Sequence, residues 1–265
     1  MSETMKKENL DLPTTALTQE QHAFFRAHGY VDLGRVFSAD EVALFVAQYD
    51  RDRSDCGYMW KQYGMHQSIS CDALVSWPEI DALIRHPNVV PALEELMGGP
   101  ITFEEVCVRH MAPFEGEGYQ GWHRDKAHWP EHPLRMDYIQ TMVYLSDVGP
   151  DTHCFSISPE GINADILDKE EQLAKVGGVD LHGPAGTVIA FNVAVLHSAT
   201  VRPTQIERKT VQTYYGHPGR AYLSNDSVIP PRLWRDHQDE AVRAFYGKLN
   251  DKSRIYARAH GLEGV

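Results

Sequence analysis

Apolar and polar positions follow a helical rhythm at both ends of the chain and a strand rhythm in between. Residues 18–28 predict a helix: Thr18 can cap its start, Gln21 sits three residues later as in a capping box, and Gly29 ends it. Residues 30–33 predict a short strand. Ser38 opens a second helix, in which Val42, Phe45, Val46 and Tyr49 recur at helical spacing. A third helix is expected over about 89–97, stopped by Gly98-Gly99-Pro100. From Ile101 the rhythm changes. Strand-like runs occupy 101–111, 138–146, 153–157, 187–192 and 208–216, separated by Gly, Pro and Asp. Helical spacing then returns with Val242, Phe245, Tyr246 and Leu249.

Short strands without alternating helices argue against a parallel α/β sheet and for antiparallel strands closed around a cavity. The expected class is α+β, a jelly-roll core flanked by N- and C-terminal helices. At 265 residues the chain suits one domain with a sizeable core. We expect a mobile polar tail over 1–16 and one domain over 17–265, with its β-core at about 101–216 and a C-terminal helical cap at about 220–265. The formal net charge of −12 repels phosphate backbones and anionic lipids, so neither nucleic acid nor membrane is expected as a partner. Four scattered cysteines form no CxxC, which argues against a disulfide framework or structural zinc. The N-terminal stretch has no apolar signal core, and a cytoplasmic location is the default expectation. Oligomeric state leaves no trace in the pattern.

The chemistry concentrates in two places. His123-Arg124-Asp125 follows a strand and a Gly-rich turn. On extended backbone, residues two apart share a face, so the imidazole and carboxylate can meet one metal ion. Such a motif is weak alone: with 14 His and 19 Asp, about one HxD is expected by chance. A second, His237-Gln238-Asp239, falls in the C-terminal helical pattern, where residues two apart diverge, and reads as helix surface. What distinguishes the first is a β-type apolar run from Gly186 that ends on His197, followed eleven residues later by Arg208 at the start of another strand. Two His and one carboxylate suit Fe(II) and leave positions free for a co-substrate and oxygen. An arginine can grip the far carboxylate of a dicarboxylate co-substrate through two parallel hydrogen bonds.

Over residues 17–216 the chain resembles the phytanoyl-CoA dioxygenase family of Fe(II)/2-oxoglutarate oxygenases. The likeness rests on HxD, a distal His, an Arg about eleven residues on, and the opening stretch LTQEQHAFFRAHGYVDLGRVFSADEVALF. The resemblance implies a double-stranded β-helix of cupin-like form. It also implies Fe(II) on His123, Asp125 and His197, with 2-oxoglutarate and O2 consumed, succinate and CO2 released, and a C–H bond oxidised, most simply by hydroxylation. Arg208 would clamp 2-oxoglutarate. Further co-substrate contacts are expected from Thr200, beside the position where many members carry Ser, and from Met142, where an aromatic residue is common. Ser158-Pro159-Glu160-Gly161 also departs from the family's usual turn. A halogenase would replace Asp125 with a small residue. A cupin-like isomerase or hydrolase would have no use for Arg208, and a non-catalytic jelly-roll binding module no use for the complete triad.

The substrate is expected to be a small polar metabolite or natural-product intermediate, since no basic patch suits CoA phosphates. Candidate contacts come from strand parity. Arg109 and Met111 share a face, as do Gln140 with Met142 and Arg208, Thr210, Gln212 with Tyr214. Arg109 either grips a substrate acid or pairs with Glu104 or Glu105. Trp122, with Trp129 and His128, flanks the metal motif as a candidate pocket wall, and Trp234 and Phe245 are candidates to cap the cavity.

Overall fold

The computed structural model describes residues 17–64 and 66–262; the expected tail over 1–16 lies outside them. In chain order the elements are α1 (Gln19–His28), β1 (Tyr30–Arg35), α2 (Ala39–Asp55), β2 (Lys61–Gln62), β3 (Gln67–Ser70), α3 (Ala73–Ser76), α4 (Asp81–Ile84), α5 (Val90–Met97), β4 (Thr102–Met111) and β5 (Tyr119–Gln120). There follow β6 (Tyr138–Tyr144), β7 (Cys154–Ile157), α6 (Lys169–Lys175), β8 (Val179–Leu181), β9 (Thr187–Asn192), β10 (His197–Val201), β11 (Arg208–Gly216), α7 (Pro231–Trp234), α8 (Glu240–Tyr246) and α9 (Asp251–Ala259).

Two antiparallel sheets result, one ordered β1-β9-β6-β11-β4-β3-β2 and the other β5-β10-β7-β8. This is the jelly roll in an α+β setting. Both first helices start with a complete capping box, Thr18 with Gln21 and Ser38 with Glu41, and Gly29 closes α1 in the left-handed region at φ 76°. Strand alternation divides the large sheet into two environments. Val106, Val108, Ile139, Val143, Val188, Ala190 and Val211 face outward into the main core with Phe25, Phe45, Leu93 and Phe245. The opposite face, toward the small sheet, carries Arg109, Gln140, Met142, Arg208 and Gln212. The helices therefore seal the outside of the sheet and leave its inner face for polar chemistry.

Two expectations need correction, and a third gains detail: the strand expected over 187–192 is β9, and the apolar run turns before it reaches His197. β9 ends at Asn192, whose Oδ1 accepts from the Ala194 N–H at 2.9 Å while its carbonyl accepts from Val195, and a buried turn leads into β10. Val193 to Leu196 are each about 1% exposed, so polarity gave no turn signal. His237 and Asp239 precede helix α8 rather than lying on it, and Asp239 caps that helix by accepting from Ala241. Trp234 and Phe245 pack on the outer core, not over the cavity.

Candidate active site

His123 and His197 face each other across a bridge between neighbouring backbones: each N–H donates to the other's carbonyl, at 3.0 and 2.9 Å. Asp125 is tied in the same way by its N–H to the Val193 carbonyl at 3.1 Å. Both imidazoles are oriented by their own chain. His123 Nδ1 donates to the Gly121 carbonyl at 2.7 Å and His197 Nδ1 to the Val195 carbonyl at 2.8 Å. A carbonyl only accepts, so each Nδ1 carries the proton and each Nε2 presents a lone pair. The two Nε2 atoms lie 3.3 and 3.5 Å from the oxygens of Asp125, and the three ligand atoms fall within 4.8 Å of one another. Burial alone would raise the Asp125 carboxyl, but when the imidazoles are also protonated at Nε2 their hydrogen bonds and charge hold it well below the usual carboxylate range. Tyr214 donates its hydroxyl to Asp125 Oδ2 at 3.1 Å and fixes the remaining freedom of the carboxylate.

The segment over 124–128 is anchored from outside. Arg124 and His128 both reach the buried carboxylate of Glu160, each at 2.7 Å, and Arg124 also donates to the Ala194 carbonyl. Glu160 belongs to the 158–161 turn that departs from the family's usual form. Residues that orient metal ligands from a distance typically change metal affinity 10- to 100-fold. Glu160→Gln is therefore expected to weaken Fe(II) binding about tenfold, read by anaerobic equilibrium dialysis. Unchanged affinity would reduce the turn to packing.

Across the cavity from the triad stands Arg208, 1% exposed. Its Nη atoms lie 3.4 and 3.5 Å from the sulfurs of Met111 and Met142, its guanidinium faces the Tyr144 ring at 5.5 Å, and its Nε has no partner. No carboxylate lies within ion-pair distance of it among the described residues. Burial pulls its pKa down. A small cavity of about 60 Å³ connects it to His123 and His197, lined also by Phe155, Ala199, Gln140, Met142 and Gln212. A larger one of about 540 Å³ opens toward β2, β3 and the 217–230 loop. Arg109, His123, Gln212 and Tyr214 line both.

The Phytanoyl-CoA dioxygenase (PhyH) family model matches residues 25–210. The chain belongs to that family. It is an Fe(II)- and 2-oxoglutarate-dependent dioxygenase. It is 25% identical to the ectoine dioxygenase of Stutzerimonas stutzeri over 255 residues, covering 84% of each chain. It is 27% identical to the L-proline trans-4-hydroxylase of Streptomyces griseoviridis over 161 residues, 49% of this chain and 59% of that one. Its fold is similar to that of EctD from S. alaskensis with 2-oxoglutarate and 5-hydroxyectoine, at a TM-score of 0.66 and 20% identity with 86% of each chain covered. The α-ketoglutarate-dependent carbocyclase SnoK gives a TM-score of 0.66 at 20% identity, covering 78% of this chain and 86% of that one. No described helix is long and apolar enough to cross a membrane.

Within this PhyH-family site, strand parity separates the predicted residues. His123, Asp125, His197, Arg208, Met142, Gln140, Gln212 and Arg109 converge on the two cavities. Met111 lines neither; it packs against the Arg208 guanidinium. Thr200 points away. On β10 the cavity takes His197 and Ala199, and Thr200 bonds instead to Ser156 and Gln120 on the far side. Trp122 likewise precedes His123 on extended backbone and turns outward, donating to Gln120 at 3.1 Å and covering Gly178. Trp129 packs on His132 and under Arg220, and His128 serves Glu160. The sequence reading missed Lys61, Tyr63, Asn225 and Asp226, which line the larger cavity from short strands and an irregular loop.

Proposed function

We propose that this dioxygenase hydroxylates a C–H bond of a small, acid-bearing metabolite, with His123, Asp125 and His197 as iron ligands and Arg208 as the clamp for 2-oxoglutarate. The observation that carries the reading is the pairing of a lone-pair cluster with an unpaired buried arginine across one small cavity. Two neutral imidazole nitrogens and a carboxylate form a donor set that only a cation satisfies, and it suits Fe(II). The arginine needs an anion for the converse reason. Bound iron supplies the oxidising chemistry, coupling O2 and 2-oxoglutarate to succinate, CO2 and the oxidised substrate.

The chain's own residues do the positioning. Gly121 and Val195 carbonyls hold the imidazoles, Tyr214 holds the carboxylate, and Arg208 fixes the far end of the co-substrate. Phe155, Met142 and Ala199 keep the space between them dry. A metal-dependent isomerase or hydrolase on the same ligands has no role for Arg208. The test is a mass-spectrometric substrate screen with Fe(II), ascorbate and 2-oxoglutarate, scored by succinate release. Turnover independent of 2-oxoglutarate would reject the proposal.

Arg109 supports the acidic substrate. It donates to the Gln67 amide at 3.1 Å and faces the Tyr63 ring at 5.6 Å, and its Nε is unpaired. Neither neighbouring glutamate claims it: Glu104 is engaged by Lys248 and the Leu223 N–H, Glu105 by the Ser224 hydroxyl. With Arg208 reserved for 2-oxoglutarate, a second cation calls for a second anion. Arg109→Met should raise the substrate KM about 30-fold, the loss of a charge contact of about 2 kcal/mol, and leave 2-oxoglutarate affinity nearly unchanged. A fall in 2-oxoglutarate affinity alone would assign Arg109 to the co-substrate.

A further inference from the structure

The larger cavity is charged at both ends. Lys61 pairs with Ile69 in register, and Ile69 with Arg109, so two cations sit in one row across β2, β3 and β4. Lys252 adds nothing to that end because both Asp72 oxygens hold it at 2.7 Å. Along β4 the inward residues after Arg109 are Cys107 and Glu105, which places the Arg109 and Glu105 Cα atoms on the order of 13 Å apart. Glu105 lines the same cavity beside Tyr214, its partner in register on β11. Among the described residues its carboxylate accepts only the Ser224 hydroxyl. Asp226, exposed on the loop after β11, adds a second carboxylate to this wall; the Lys252 ammonium that Asp72 holds also donates to the Asp226 backbone carbonyl at 2.7 Å, but forms no ion pair with its carboxylate among the described residues. Burial pushes the Glu105 carboxyl up to about 8 against the Ser224 hydrogen bond, and the charges of Cys107, then Asp226 and Asp125, add to the rise. The half-buried Glu105 carboxylate has no cationic side chain within ion-pair distance among the described residues, and an ammonium group beside it would favour its ionised form.

We infer that the substrate is a zwitterion: its anionic group meets Arg109, its ammonium group meets Glu105 and Asp226, and the C–H bond to be oxidised lies on the segment between them, opposite His123 and Asp125. This rests on the dioxygenase site proposed above. The two charged walls set orientation as well as affinity, since a substrate entering reversed would bring like charges together at both ends.

The test uses the full chain with Fe(II) and 2-oxoglutarate under anaerobic conditions, following the visible absorption band that the pair gives. The probes are 5-aminopentanoate and 7-aminoheptanoate, each compared with the carboxylate and the amine that lack the other charge. The two probes differ in the reach between their charges, so chains of five and seven carbons sample spans shorter than the separation of the two Cα atoms. At least one zwitterion is expected to bind about tenfold or more tightly than either singly charged analogue. Glu105→Gln should abolish its advantage over the carboxylate and leave 2-oxoglutarate affinity unchanged; Asp226→Asn should reduce that advantage. Arg109→Gln should abolish its advantage over the amine. A normal band with no zwitterion preference, or a preference that survives Glu105→Gln, overturns the inference. Failure of the band to form in the unaltered protein overturns the dioxygenase site itself.

Discussion

Replacing His123, Asp125 or His197 by alanine is expected to abolish iron-dependent turnover and to weaken Fe(II) binding by at least about 100-fold, the upper end of what outer residues alone cost. Three protein ligands are the minimum that leaves room for a bidentate co-substrate, so no fourth residue compensates. The fold should survive. Backbone bonds between His123 and His197 and from Asp125 to Val193 hold the strands together, and these do not depend on the side chains. Loss of the cluster removes convergent acceptors and costs little packing. The measurement is the visible band of anaerobic protein with Fe(II) and 2-oxoglutarate, beside equilibrium dialysis of the metal. A normal band in all three variants rejects the assignment. His237→Ala and Asp239→Ala serve as controls and should leave the band unchanged, because those residues belong to the turn that starts α8. The same ligands set the pH dependence. Asp125 raises the His123 pKa through their hydrogen bond, so protons compete with the metal at higher pH than for a free imidazole. Fe(II) affinity should fall as pH drops through that raised value, with proton release on binding.

Features governed by local rules were legible in the sequence. Thr18, Gln21, Ser38 and Gly29 announce helix ends because a side-chain oxygen and a left-handed glycine act on their own backbone. The strands over 102–111, 187–192 and 208–216 show in alternation and β-branched content. Errors arose where chemistry was read without parity. Thr200 carries an attractive hydroxyl, but it stands an odd number of residues from His197 and faces the other side of β10. Trp122 fails for the same reason beside His123. Met111 and Arg109 do share a face, yet two residues of strand rise are enough to place one behind Arg208, lining neither cavity, and the other between the two cavities. Lys61, Tyr63, Asn225 and Asp226 left no signal. They come from a two-residue strand and irregular segments brought to the cavity by tertiary packing, where no periodicity exists to be read.

Arg208→Leu is expected to weaken 2-oxoglutarate binding about 30- to 4,000-fold while stabilising the protein in its absence. The first effect is the loss of a desolvated, bidentate charge contact, which costs on the order of 2–5 kcal/mol. The second comes from the surroundings of Arg208. In the free chain its guanidinium is buried against two thioethers and a phenol ring, and no carboxylate answers it among the described residues. If Arg208 is the clamp proposed above, its charge costs stability in the free chain, and that free energy is recovered when the co-substrate binds. Leucine fits the Met111, Met142 and Tyr144 surround without that penalty, so the variant should melt at or above the unaltered protein without ligand. Adding 2-oxoglutarate with Fe(II) should then raise the melting temperature of the unaltered protein and leave that of the variant nearly unmoved. Titration of the visible band gives the affinity, and thermal unfolding with and without 2-oxoglutarate gives the stability pair. A variant that is less stable without ligand but binds 2-oxoglutarate normally would make Arg208 a structural residue. The clamp would then move to another cation, and Arg202, tied to Asp180 on the outer side of the small sheet, is poorly placed to supply it.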